Sequence, residues 1–220
     1  MTWSLGLTVG PGGFGSAIRS EYGEVHLLGV FPTITRAVNA GSLAAPDEPP
    51  EKIVLVHPAG IHANELGRHL GNLAIAGLDG QDIELRSDVE VLVAVTGNRV
   101  LLIDADLDLI AGHPGKTAAF DPDRLAELVA RDPFSTTVAL TGHPEVRDRY
   151  HVAARDYAPM LVERPALAAL ALGHPTTSAL VSTPRTATPH LRSPSRAQRY
   201  FFIVMVALVI LVALWVVLVL

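Results

Sequence analysis

The last 21 residues, Tyr200 to Leu220, read YFFIVMVALVILVALWVVLVL and carry no charge, no Gly and no Pro. As a helix rising about 1.5 Å per residue they span roughly 31 Å, the hydrocarbon thickness of a bilayer. A soluble helix needs only one apolar face and rarely runs this long without a polar residue, so the run reads as a transmembrane helix rather than a core helix. Trp215 and the Tyr200–Phe201 pair suit the membrane interfaces. The segment before it, 181–199, is rich in Pro, Ser, Thr and Arg, holds no acid, and reads as a linker. Arg192, Arg196 and Arg199 flank the span, and Arg185 lies further back. Positive flanks stay on the cytoplasmic side. The expected organisation is a cytoplasmic domain over 1–180, a linker over 181–199 and a span over 200–220 in the plasma membrane, single-pass and tail-anchored, with the C-terminus outside. No charged start followed by an apolar core and cleavage site marks a signal peptide at the other end. The lipid bilayer is the first expected partner.

Outside the linker and the span, 13 basic residues face 22 acidic ones, a formal charge of −9 over residues 1–180. Such a surface repels a phosphate backbone, so nucleic acid is not an expected partner. The absence of cysteine excludes disulfides and thiolate metal sites and fits a reducing compartment. Fifteen Arg against two Lys, with heavy use of Ala, suggest a GC-rich bacterial genome.

Within the domain, WSLGLTV, FGSAIRS and VHLLGVF, separated by glycine turns, predict an opening antiparallel meander. Residues 39–51 read as a loop from their Pro, Gly and acid content. KIVLVHPAG predicts a buried strand, and HANELGRHLGNLAIAGL a helix with Leu66, Leu70 and Leu73 on one face. QDIELR is the next strand. In SDVEVLVAVTG alternating valines argue for a strand, while Ser87 and Glu90 form a capping box; helix is preferred. NRVLLIDADLDLI predicts a strand running into acids. FDPDRLAELVARD predicts a helix capped by Asp121, with Pro122 at its first position. A strand, STTVALTG, and two helices, HPEVRDRYHVAARDYAP and ERPALAALALG, follow. Strands alternating with helices make an α/β fold.

Gly10, Gly12 and Gly15 spell G-x-G-x-x-G after an apolar run. A dinucleotide site needs a helix next and an acid ending the following strand, and neither is present, so the glycines read as a hairpin turn. Asp104, Asp106 and Asp108 alternate and on a strand would share one face; they suit a strand end or a cap better than Mg²⁺ or Ca²⁺, for want of a further ligand cluster. His57, His62 and His69 lack the spacing of a metal helix. Gly-His-Pro recurs at Gly112, Gly142 and Gly173, but the flanks differ, so it does not mark a repeat. A Walker A pattern and a nucleophile elbow are absent.

In order, these segments resemble the ATPase domain of the seventy-kilodalton heat-shock chaperones, in the actin and sugar-kinase superfamily. SLGLTVGPGGFGSA is similar to the first phosphate hairpin and RVLLIDADLDLI to the second. STTVALTGHPEV is similar to the adenosine motif, and ERPALAALALG to the closing helix. The resemblance covers most of residues 3–173 and implies an actin-like, ribonuclease H-like ATPase fold. On it, nucleotide contacts would fall to Gly10, Gly12, Gly13, Asp104 and Gly142. With only about 25 residues between Ile110 and Ser135, the second lobe is expected to be truncated.

The departures point away from catalysis. Thr8 stands where the family has a metal-organising Asp, and Asp104 to Leu109 replace glycines whose N–H groups approach phosphates. Of the adenosine glycine pair only Gly142 remains. The expectation is a non-catalytic module, a pseudo-ATPase without cofactor, that holds a protein partner at the membrane for secretion, envelope assembly or division. The alternative is a nucleotide sensor or weak ATPase that binds ATP.

Overall fold

Four-residue stretches without a polar side chain, Ile53–Val56 and Val100–Ile103, are almost wholly buried and lie at the heart of two sheets. The computed structural model describes residues 2–45, 49–112 and 114–173. The expected linker and span, with Arg185, Arg192, Arg196 and Arg199, lie outside the described residues. Among the described residues no helix is long and apolar enough to cross a membrane.

The first half runs β1 (Ser4–Thr8), β2 (Phe14–Arg19), β3 (Val25–Phe31), α1 (Ile34–Ala44), β4 (Lys52–His57), α2 (Ala63–Leu73), β5 (Asp82–Ser87) and α3 (Asp88–Thr96). The second half runs β6 (Arg99–Asp104), β7 (Leu109–Gly112), β8 (Lys116–Ala119), α4 (Pro122–Ala130), β9 (Thr136–Thr141), α5 (Pro144–Ala153), β10 (Met160–Leu161) and α6 (Arg164–Ala171). The sheets have the orders β3-β2-β1-β4-β5 and β10-β9-β6-β7-β8. In each, the first three strands form an antiparallel meander and the last two add in parallel on the far side of the first strand. The second half therefore repeats the first, strand for strand and helix for helix. This corrects the expectation of a truncated second lobe: its five-stranded sheet is complete, with β7 and β8 only four residues each. Gly112, Gly142 and Gly173 occupy non-equivalent places, a hairpin, a strand end and a helix end, so Gly-His-Pro has no part in the duplication.

Alternation along the strands sorts the core into three clusters. Leu5, Leu7 and Val9 face Ile34, Val38 and Leu73 of α1 and α2. Leu101, Ile103 and Leu140 face Leu125 and Tyr150 of α4 and α5. Between the sheets, Val54, Val56, Leu102 and Ala139 meet Val89 and Leu92 of α3 and Ala166–Leu172, which cover α6 and the residue after it. The layers are thus α1 and α2, first sheet, α3 and α6, second sheet, α4 and α5.

The capping signals behave as the sequence implies. Ser87 and Glu90 form a reciprocal capping box, which decides α3 in favour of helix over the alternating valines. Asp121 caps α4 by accepting from Asp123 and Arg124. The expectation of a loop over 39–51 is corrected in its first part: α1, capped by the Thr33 hydroxyl, runs through Ala44.

All eight residues of α6 are buried, and the helix approaches the first sheet where side chains are missing. A Cβ on Gly15 would lie 2.5 Å from the Arg164 carbonyl carbon and 2.6 Å from the Pro165 nitrogen. Gly15→Ala is expected to cost at least about 2 kcal/mol in urea unfolding, in the range of overpacked cores. Gly67→Ala, on the exposed face of α2 with open space around its Cβ position, is expected to stabilise by about 0.5–1 kcal/mol.

Candidate functional site

The turns that follow β1 and β6 and the loop after β9 converge on the N-terminus of α6. Gly13, at φ +112°, donates its N–H to the Gly10 carbonyl at 3.1 Å and closes the β1–β2 hairpin. The β6–β7 turn is organised by Asp104, whose Oδ1 accepts from the N–H groups of Asp106 at 3.0 Å and Leu107 at 3.3 Å. Asp108, at φ +54°, accepts from the Tyr150 hydroxyl at 2.6 Å. The three alternating aspartates therefore do not share a strand face. The strand ends at Asp104 and the turn sends each carboxylate to a different partner.

Asp106 meets Arg164. Nη2 of Arg164 lies 2.6 Å from Oδ2 of Asp106, and both side chains are over nine-tenths buried. The second carboxylate oxygen accepts from the His143 N–H at 2.8 Å. Nη1 of Arg164 donates to the Val9 carbonyl at 3.3 Å. The Thr8 hydroxyl donates to the Arg164 carbonyl at 3.2 Å and accepts from the Gly15 N–H at 3.0 Å. Thr8 thus fastens the hairpin to α6.

The residues that the sequence singled out do come together here, around this ion pair. A Cβ on Gly10 would overlap the Arg164 guanidinium, and one on Gly12 the Asp106 carboxylate. Gly142, at φ +127°, brings the β9–α5 loop against the Asp106 backbone. Asp104 sits behind the pair. Gly13 faces the other way, toward Val30 and Phe31. Sequence reasoning missed Arg164 and Asp88, and read Asp106 only as part of a strand end or cap. A cation at the first position of an otherwise apolar helix was the available signal, because the positive end of the helix dipole disfavours it.

Electrostatics bind the group together. Asp88, the first residue of α3, is buried and accepts from the N–H groups of Ala59 at 3.1 Å and Val89 at 2.7 Å through one oxygen. Burial, and then the neighbouring Asp104 charge, push its carboxyl up to about 7. Burial also raises Asp104, partly offset by Arg164. Among the described residues, Oδ2 of Asp104 and the Thr141 hydroxyl are buried without a hydrogen-bond partner. One guanidinium thus serves three carboxylates, and an entering anion would find that cation already paired. What stays open is a recess of about 180 Å³ bordered by Gly12, Gly142, His143, Arg147 and Arg164. Sites for small molecules and cofactors usually enclose roughly 300–1,000 Å³.

No protein-family model and no curated protein matches this sequence. Solved structures similar to it include a Bacteroides thetaiotaomicron protein described as having an actin-like ATPase fold and unknown function. That match has 9% identity over 74% of this chain and 91% of the other, with a TM-score of 0.42. A ROK family protein from Streptococcus pneumoniae TIGR4, solved in complex with sucrose, is similar at 9% identity over 78% of this chain and 96% of the other, with a TM-score of 0.38.

Asp88 carries a pH dependence of definite sign. Its carboxyl titrates near 7 when folded against an ordinary 3.8, so between these values the native state holds more protons than the unfolded one. Stability from this group is therefore complete below about pH 4, falls as pH rises toward 7, and is level above. Asn offers the same oxygen to Ala59 and Val89 without the charge. Relative to the native chain, Asp88→Asn is expected to gain stability across pH 4–7, at up to about 1.4 kcal/mol per pH unit, in urea titrations at several pH values.

Proposed function

We propose that this chain is a non-catalytic actin-like module, with its phosphate position filled from within, that serves as a membrane-tethered scaffold for a protein partner. The Arg164–Asp106 pair carries the proposal. It lies where the two glycine and aspartate turns meet, which on the chaperone resemblance is the place of the nucleotide phosphates. Both side chains are buried, and the glycines that would admit a phosphate admit the guanidinium and the carboxylate instead. The two five-stranded sheets of equivalent strand order support the actin-like part. Thr8 supports the loss of catalysis: it engages α6 with its hydroxyl and offers no carboxylate to a metal. The apolar run 200–220 and its arginine flank support the tether.

One observation favours the sensor alternative. Arg147, in the first turn of α5, is largely buried beside the recess, and its side chain forms no hydrogen bond or ion pair among the described residues. Thermal denaturation of the full chain with millimolar Mg-ATP or Mg-ADP separates the two. The scaffold predicts a melting temperature unchanged within about 1 °C, since a ligand at a hundred times its Kd adds about 2.7 kcal/mol. A rise of several degrees that Arg147→Gln removes would establish the sensor instead. For the tether, a reporter fused after Leu220 is expected to be active only outside the cytoplasm, and cytoplasmic activity would reverse the orientation.

A further inference from the structure

The second half contains a cationic cavity remote from the ion pair. It opens between α4 and the outer face of the second sheet, with a volume of about 490 Å³, within the range of small-molecule sites. Arg99, Lys116, Arg124 and Arg131 line it, and no acidic side chain does. Its floor is apolar, built by Leu101 and Ile110, which are almost wholly buried, with Leu128 at the side. Arg99, at the start of β6, lies about 17 Å along the strand, at ~3.3 Å per residue, from Asp104, which ends it near the Arg164–Asp106 pair.

We infer that this cavity binds a small amphiphile carrying a phosphoryl group. Four cations gathered on a domain of formal charge −9 run against its overall balance, and an anion seated among them would be attracted by all four. The internal compensation is one carboxylate: Glu127 lies 2.5 Å from Arg124 and 2.7 Å from Arg131, on the same helix. Counting Glu127, the cluster keeps a formal charge of +3. Lys116 forms no ion pair among the described residues, and Arg99 is held in place by donating Nη1 to the Leu128 carbonyl at 3.2 Å. Guanidinium forks match phosphoryl oxygens two at a time, and a dianion neutralises such a cluster better than a carboxylate does. The apolar floor takes the carbon end of the ligand. The inference is independent of whether the cleft holds nucleotide.

The same phosphomonoester chemistry exists in soluble metabolites and in phosphatidic acid headgroups, and one readout distinguishes them. The full chain in neutral detergent micelles is titrated with phenyl phosphate, and in parallel the micelles are doped with phosphatidic acid, while broadening of the phosphorus NMR resonance is followed. Saturable broadening in the phenyl phosphate arm supports a soluble ligand, and in the doped micelles alone a lipid headgroup. In either case Lys116→Gln combined with Arg124→Gln is expected to weaken binding at least fivefold with the melting temperature unchanged, while Lys116→Arg retains it. The linker arginines are present in every variant, so their attraction to anionic lipid cancels. No saturable binding in either arm, or binding that the double substitution leaves unchanged, overturns the inference.

Discussion

A guanidinium at the first position of a buried helix is unfavourable twice over, from lost hydration and from the positive end of the helix dipole. Much of the centre of this protein is arranged to meet that cost. Arg164 starts α6, whose eight residues are all buried. Its charge is met by Asp106, whose second oxygen is held by the His143 N–H, and its other amino group takes the Val9 carbonyl. Three turns from distant parts of the chain are thereby set against one helix end. A buried pair of this kind adds little net stability over an apolar substitute, but losing one partner leaves a stranded charge costing about 3–5 kcal/mol. What the pair contributes above all is a unique arrangement of the turns.

The duplication explains why the compensating charges are where they are. The first residue of α3 is Asp88 and the first residue of α6 is Arg164, equivalent positions in the two halves. The backbone keeps the correspondence: Val9 donates to the Val56 carbonyl and Ala105 to the Thr141 carbonyl, the same bond in each copy. Had both copies kept an acid, the centre would hold four carboxylates and no cation. With opposite charges at the paired positions, Arg164 lowers the cost of ionising both Asp88 and Asp104, although burial still wins at each. The centre is one coupled cluster, and each half depends on the other for its protonation state.

What was legible in the sequence follows the range of the forces involved. Strands with long apolar runs and helices with side-chain caps are local matters, so β4, β6, α3 and α4 could be read directly. α1 was not legible, because the prolines and acids after Ala45 make 39–51 read as a loop and the cap at Thr33 precedes no clear periodic pattern. The short stretch between Ile110 and Ser135 suggests a truncated second lobe, and β7 and β8, LIAG and KTAA, are too short to show alternation; pairing across the hairpin makes them strands. Within the site, Gly10, Gly12, Asp104 and Gly142 were legible through the order of resembling segments. Arg164 was not, since its partner lies 58 residues away and no local pattern announces the pair.

The glycine hairpin has the spacing of a phosphate-binding loop and frames an internal arginine. A loop that cradles phosphate must lack Cβ atoms and must present N–H groups. Here the first requirement persists, because a guanidinium and a carboxylate approach Gly10 and Gly12 as closely as a phosphate would. Two of the hairpin's N–H groups are engaged within the protein. The N–H of Val9 is bonded to Val56 and that of Gly13 to Gly10, while the Val9 carbonyl faces the guanidinium. A hairpin offering a carbonyl receives a cation, so the same glycine spacing that suggests an anion site frames an internal arginine. Arg164 joins the two halves through its own side chain, to the Val9 carbonyl of the first and the Asp106 carboxylate of the second.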